Sequence, residues 1–110
     1  MYSRVLDDIQ TRMVEAIKDL YRSPSQLQIF LHFIYMDRPL TPKMVAEDLG
    51  ITPKSAERAI DKLFRKDLIM RSPLLKGHYI CDVRRIIPCI LLMLQDLYKS
   101  LEKREEKRKS

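Results

Sequence analysis

Between Leu40 and Ile60 the chain reads LTPKMVAEDLGITPKSAERAI, and the tripeptide Thr-Pro-Lys occurs in it twice, beginning at Thr41 and at Thr52. Threonine followed by proline is a helix-start signal. The hydroxyl accepts from an orphan backbone N–H, and proline at the first helical position forfeits no hydrogen bond. Each copy therefore opens a helix, and Ser23-Pro24 opens another upstream. The helix that begins at Pro42 must end before Thr52, and Gly50 is a suitable terminator. Two short helices joined by a tight Gly50-Ile51 turn make a helix-turn-helix.

The apolar spacing agrees. Val45, Ala46, Leu49 and Ile51 fall on one side of the first unit, and Ala56, Ile60 and Leu63, joined by Ala59 and Phe64, form the stripe of the second. Small residues at Ala46 and Ala56 let the two helices cross closely. At about 3.6 residues per turn, the opposite face of the second helix is centred on Lys54, Arg58, Asp61 and Arg65, flanked by Ser55 and Lys62. A stripe dominated by basic side chains suits a helix that enters the DNA major groove. Glu57 and Asp61 dilute that charge. Three roles are open to them: accepting from cytosine N4, orienting Arg58 and Arg65, or pairing in solvent without function.

The residues after Lys66-Asp67 extend the pattern. Leu-Ile-Met-Arg-Ser, a turn-like Pro-Leu-Leu-Lys-Gly, and His-Tyr-Ile-Cys-Asp-Val predict a β-hairpin from about Leu68 to Val83. A helix-turn-helix joined directly to a hairpin is a winged helix. Arg71 lies on the first wing strand, with Lys76 and His78 near the tip, whereas Leu74 and Leu75 at the same tip do not suit contact with DNA. Long helices flank this core. Leu6, Ile9, Met13, Ala16 and Leu20 repeat at spacings of three and four, as do Ile87, Ile90, Leu94, Leu97 and Leu101. Pro88 fits only within the first turn of the last helix. The segment from Pro24 to Met36 reads as an almost wholly buried helix.

The 110 residues fit one compact domain. The predicted class is mainly α with a small β-hairpin wing. Residues 1–22 form an N-terminal dimerisation helix, 23–83 the winged-helix core, 84–106 a C-terminal dimerisation helix, and 107–110 a fraying tail. The net charge of +6 is uneven: residues 1–37 sum to −1, 38–85 to +5 and 86–110 to +2. A basic middle is the electrostatic footprint of an anionic partner, nucleic acid being the commonest. The longest apolar run, Ile86 to Leu94, is too short to span a bilayer, and the N-terminus lacks a signal-peptide pattern. A cytoplasmic location without membrane contact is the resulting expectation.

Chemistry of other kinds finds little support. His78 and Cys81 stand at a possible metal-ligand spacing, but no second ligand pair completes a site. Gly50 and Gly77 are the only glycines, so no phosphate loop exists, and no serine has an identifiable base. Neither an enzyme, a metal nor a cofactor is expected. His32 lies in an apolar helix and reads as a satisfied core or interface residue. Cys81 and Cys89 read as buried thiols; the alternative for Cys81, beside the last helix, is that its oxidation couples redox state to DNA affinity.

From about Ser23 to Leu101 the chain resembles the compact MarR/TrmB-type winged helix-turn-helix regulators of archaea and bacteria. The resemblance rests on LTPKMVAEDLGITPKSAERAIDKLFRKDLIMRS and on GHYICDV leading into a long helix. It implies a double-stranded-DNA-binding transcription regulator that forms a homodimer through its terminal helices. Longer TrmB-like members add a C-terminal sugar-sensing domain, for which this length has no room, and the small-molecule effector stays unassigned. The expected DNA-contacting residues are Thr41, Lys43, Thr52, Pro53, Lys54, Ser55, Arg58, Lys62, Arg65, Arg71, Lys76 and His78. The expected dimer contacts are Leu6, Ile9, Met13, Leu20, Ile87, Ile90, Leu94, Leu97 and Leu101. The rival readings are a winged-helix protein–protein module and a weakly specific architectural DNA-binding protein.

Overall fold

The computed structural model describes the backbone of residues 2–109 and the side chains of residues 8–108. Among the described residues the order is α1 (Tyr2–Asp19), a 3-10 turn (Leu20–Arg22), α2 (Pro24–Met36), α3 (Pro42–Leu49), α4 (Pro53–Arg65), β1 (Met70–Arg71), β2 (Tyr79–Ile80) and α5 (Val83–Lys109).

Local chemistry sets where α3 and α4 begin. Thr41 Oγ1 accepts from the Met44 N–H, and Thr52 Oγ1 from the Ser55 N–H, each at 3.1 Å. A proline occupies the first turn of both helices. α3 stops at Gly50, whose φ of 66° is left-handed and sterically free only for glycine. Ser23 differs: its side chain caps nothing, and its carbonyl instead receives the Leu27 N–H at 3.0 Å.

α3 and α4 pack through the buried Ala46 and Ala56, with Val45, Ile60 and Leu63 completing the contact layer. α2 lies against α4 and buries Ile29, Phe30 and Phe33. It is amphipathic rather than wholly buried, because Leu31 and Tyr35 face outward. The buried Gln26 is satisfied by the Lys66 ammonium, which donates to its Oε1 at 3.1 Å and so ties the end of α4 to the start of α2.

The hairpin is shorter than its sequence suggests. β1 and β2 pair antiparallel with Met70 opposite Ile80 and Arg71 opposite Tyr79. Leu40 adds a third rung on the far side of β2, exchanging both backbone hydrogen bonds with Tyr79 at 2.9 and 2.8 Å. Leu68 and Ile69 do not join the ladder; they are buried in the core. The loop closes on itself: Ser72 N–H donates to the His78 carbonyl at 2.9 Å, and Ser72 Oγ accepts from the N–H groups of Leu74 and Leu75.

α5 starts one residue early, at Val83, where Asp82 Oδ1 accepts from the Arg84 N–H at 3.2 Å. Pro88 is the sixth residue of the helix, in the second turn and not the first, and it deprives the Arg84 carbonyl of its usual helical donor. The helix also runs on to Lys109, through the stretch expected to fray. Its Glu, Lys and Arg residues are good helix formers, and cations in the last turn suit the helix dipole. Every side chain from Leu94 to Arg108 is exposed. This arm explains the shape: the molecule measures 55 × 38 × 19 Å with a radius of gyration of 16.4 Å, against about 13 Å for a compact chain of this length.

Candidate nucleic-acid interface

α4 presents the surface on which the site is built. Its buried side consists of Ala56, Ala59, Ile60 and Leu63, so the helical repeat turns Lys54, Arg58, Asp61 and Arg65 directly outward. All four are exposed, as are Ser55, Glu57 and Lys62. Asp61 and Arg65 form an ion pair at 3.0 Å one turn apart. Lys54, Arg58 and Lys62 make no ion pair among the described residues. Three uncommitted cations on one helix face are available to an external anion.

The N-terminus of α4 carries a directed hydrogen-bond chain. Thr52 Oγ1, while accepting from the Ser55 N–H, donates its own proton to Ser55 Oγ at 2.8 Å. Ser55 is exposed at this end of the helix, so its hydroxyl is open to a phosphate oxygen or a base edge. Thr41 is committed to its own cap on Met44, and Lys43 is exposed on the first turn of α3.

The hairpin contributes unevenly. Arg71 stacks on α4: its guanidinium lies 5.1 Å from the centroid of the Phe64 ring, and Phe64 meets Tyr79 edge-on at 6.0 Å. This fixes the arginine where the hairpin joins the helix. Lys76 is exposed, but His78 is partly buried, with Nδ1 2.9 Å from the Lys76 carbonyl oxygen. Nδ1 must therefore carry the proton, and the ring faces its own loop. Leu74 is 91% exposed at the tip and Leu75 is also largely uncovered. Neither the Phe64–Arg71–Tyr79 stack nor the Leu40 rung is signalled by local spacing, since both depend on non-local contacts.

The residues expected at a dimer interface divide sharply. Met13 and Leu20 are 4% and 0% exposed, because α1 and the 3-10 turn that follows it turn them into the chain's own core. They are corrected from dimer contacts to core residues. Ile90 is likewise packed against that core, and the Leu6 side chain lies outside the described residues. Ile9, Ile87, Leu94, Leu97 and Leu101 are exposed, joined by Leu91, Leu92 and Tyr98. The open apolar face is thus mainly a property of α5. Beside it, Lys18, Tyr21, Met93, Leu94, Asp96, Leu97 and Ser100 line a groove of about 450 Å³ between the end of α1 and α5.

Cys81 and Cys89 are buried free thiols. Burial, reinforced by the Asp82 and Asp37 carboxylates, pushes the Cys81 thiol up to about 11 against a weaker opposing effect of Arg85. Burial also raises Cys89, which donates to the Arg85 carbonyl at 3.4 Å. A thiol that stays protonated and covered is a poor oxidant target, which argues against oxidation of Cys81 as a route to DNA affinity. His32 is satisfied by Asp48, 2.9 Å away on α3. Among the described residues no group of three or more His, Cys, Asp or Glu side chains is placed to hold a metal ion, and no helix is long and apolar enough to cross a membrane.

Two solved structures share this arrangement. The ST1889 protein from the thermoacidophilic archaeon Sulfolobus tokodaii matches at a TM-score of 0.55 and 18% identity, over 80% of this chain and 97% of its own. MepR, a transcription regulator of the Staphylococcus aureus multidrug efflux pump MepA, matches at a TM-score of 0.54 and 14% identity, over 99% of this chain and 89% of its own. The fold is a winged helix. At these identities the shared property is that architecture: a winged helix, mainly helical with a two-stranded wing, set between long terminal helices. No protein-family model and no curated protein matches the chain.

Proposed function

We propose that this winged helix is a sequence-specific, double-stranded-DNA-binding transcription regulator of MarR/TrmB-like type that works as a homodimer. The observation that carries the reading is the exposed face of α4, where Lys54, Arg58 and Lys62 make no ion pair among the described residues and stand beside the N-cap Thr52 and the exposed Ser55. In this reading α4 enters the major groove, Lys54, Ser55 and Arg58 meet base edges, Thr41, Lys43, Lys62, Arg65, Arg71 and Lys76 hold the phosphate backbone, and Pro53 packs beside the DNA at the helix start. The partly buried His78 supports the loop. The likeness to a transcription regulator of known structure supports the proposal at the level of fold.

The dimer rests on the α5 face. Ile87, Leu91, Leu94, Leu97, Tyr98 and Leu101 leave an apolar stripe uncovered, and pairing two such stripes about a two-fold axis buries both. Two α4 helices then face half-sites about 10 base pairs apart, or a multiple of that. Selection of bound sequences from random duplex DNA tests the reading: enrichment of a pseudo-palindrome is expected, and failure to enrich any sequence would refute it. A protein–protein module is the second reading, favoured by Leu74 at the wing tip; it predicts no salt-dependent affinity for duplex DNA.

A further inference from the structure

α4 carries two carboxylates on its DNA-facing side, and the structure treats them differently. Asp61 is matched by Arg65 at 3.0 Å, so its charge enters any interface already neutralised. Glu57 is exposed and makes no ion pair among the described residues, although Lys54 and Arg58 are its neighbours. It stands in the N-terminal half of α4, the part that approaches base edges when such a helix docks. An α-helix with its side chains is about 10–12 Å across, and the major groove is about 12 Å wide. The row beside the helix mid-line, where Glu57 lies, therefore also meets the groove.

Resting on the DNA-binding reading above, we infer that Glu57 is a specificity-determining residue that selects cytosine at one base pair of each half-site. An unpaired carboxylate between two phosphate walls is repelled unless it accepts hydrogen bonds there. The major groove offers a carboxylate only two donors, cytosine N4 and adenine N6; guanine N7 and O6 and thymine O4 are acceptors. Adenine sets its N7 lone pair beside N6, which opposes a second carboxylate oxygen. Cytosine has no acceptor at that place. Glu57 thus penalises guanine and thymine strongly and adenine moderately.

The test is selection from random duplex DNA with the full chain, as wild type, Glu57→Ala and Glu57→Gln, with affinity for a non-specific duplex measured alongside. Glu57 is exposed and makes no ion pair among the described residues, so its variants should fold, and matching thermal melts check that they do. Wild type is expected to require cytosine at one position per half-site, with discrimination of roughly 5- to 150-fold. Glu57→Ala should erase the preference at that position alone and bind non-specific DNA more tightly. Glu57→Gln should move it towards adenine, because an amide both donates to N7 and accepts from N6. A Glu57→Ala preference identical to wild type at every position, with affinity raised uniformly, would overturn the assignment and leave DNA binding intact. Absence of any sequence enrichment by wild type would bring down both.

Discussion

Replacing Leu94 and Leu97 together with glutamate should take the dimer apart while leaving the protomer folded. Both side chains project from the arm of α5 and are 50% and 56% exposed, so neither supports the chain's own core. Fully burying a leucine contributes about 1.5–3 kcal/mol. The half still open at each position is then worth about 0.8–1.5 kcal/mol, and a two-fold interface contains four such positions. The lost contribution is about 3–6 kcal/mol, or a dissociation constant weaker by roughly two to four powers of ten, before any cost of burying carboxylates. Sedimentation equilibrium across micromolar concentrations measures this. Wild type should run at twice 13.1 kDa and the variant at 13.1 kDa, with loss of tight DNA binding. A wild-type monomer at these concentrations, or a double variant that remains dimeric, would refute the reasoning.

Other outcomes rest on the same geometry. Thr52→Ala removes the cap on the Ser55 N–H and should cost about 1 kcal/mol, read as a fall in Tm of about 4–8 °C; an unchanged Tm would discount the cap. Cys81 should resist alkylation and peroxide at neutral pH, with DNA affinity unaffected by peroxide, and should react freely only on unfolding. Because its folded-state value is raised from 9.0 to about 11, the folded form keeps a proton that the unfolded form releases. Stability should therefore fall as pH rises through that window, and Cys81→Ser should lessen the fall.

The parts legible in the sequence are those governed by neighbours in the chain. Thr41 and Thr52 cap onto N–H groups three residues away, and Gly50 supplies a left-handed turn, so α3 and α4 are readable with their ends. The alternation of Ala56, Ala59, Ile60 and Leu63 with cations is equally local. Spacing shows that a helix face is apolar but not what covers it. That is why Met13 and Leu20 looked like intersubunit contacts when the fold draws them inward, while Leu94 and Leu97 stay open. The Leu40–Tyr79 rung and the Lys66–Gln26 hydrogen bond join residues 39 and 40 positions apart, and no local pattern announces them. At the candidate site, the basic face could be read in advance. Which acid is paired could not, since the choice between Lys54, Arg58 and Arg65 is made by side-chain geometry.

The most direct test of the central claim is a salt titration of duplex-DNA affinity, by fluorescence anisotropy, with wild type and the Lys54→Ala/Arg58→Ala double variant. If α4 docks on DNA, log affinity falls linearly with log salt at a slope of about −0.9 per phosphate neutralised. The folded double variant should then bind its preferred site at least about 1–3 kcal/mol more weakly. A folded double variant with wild-type affinity and slope, or a wild-type protein with no salt-dependent affinity, would contradict the account.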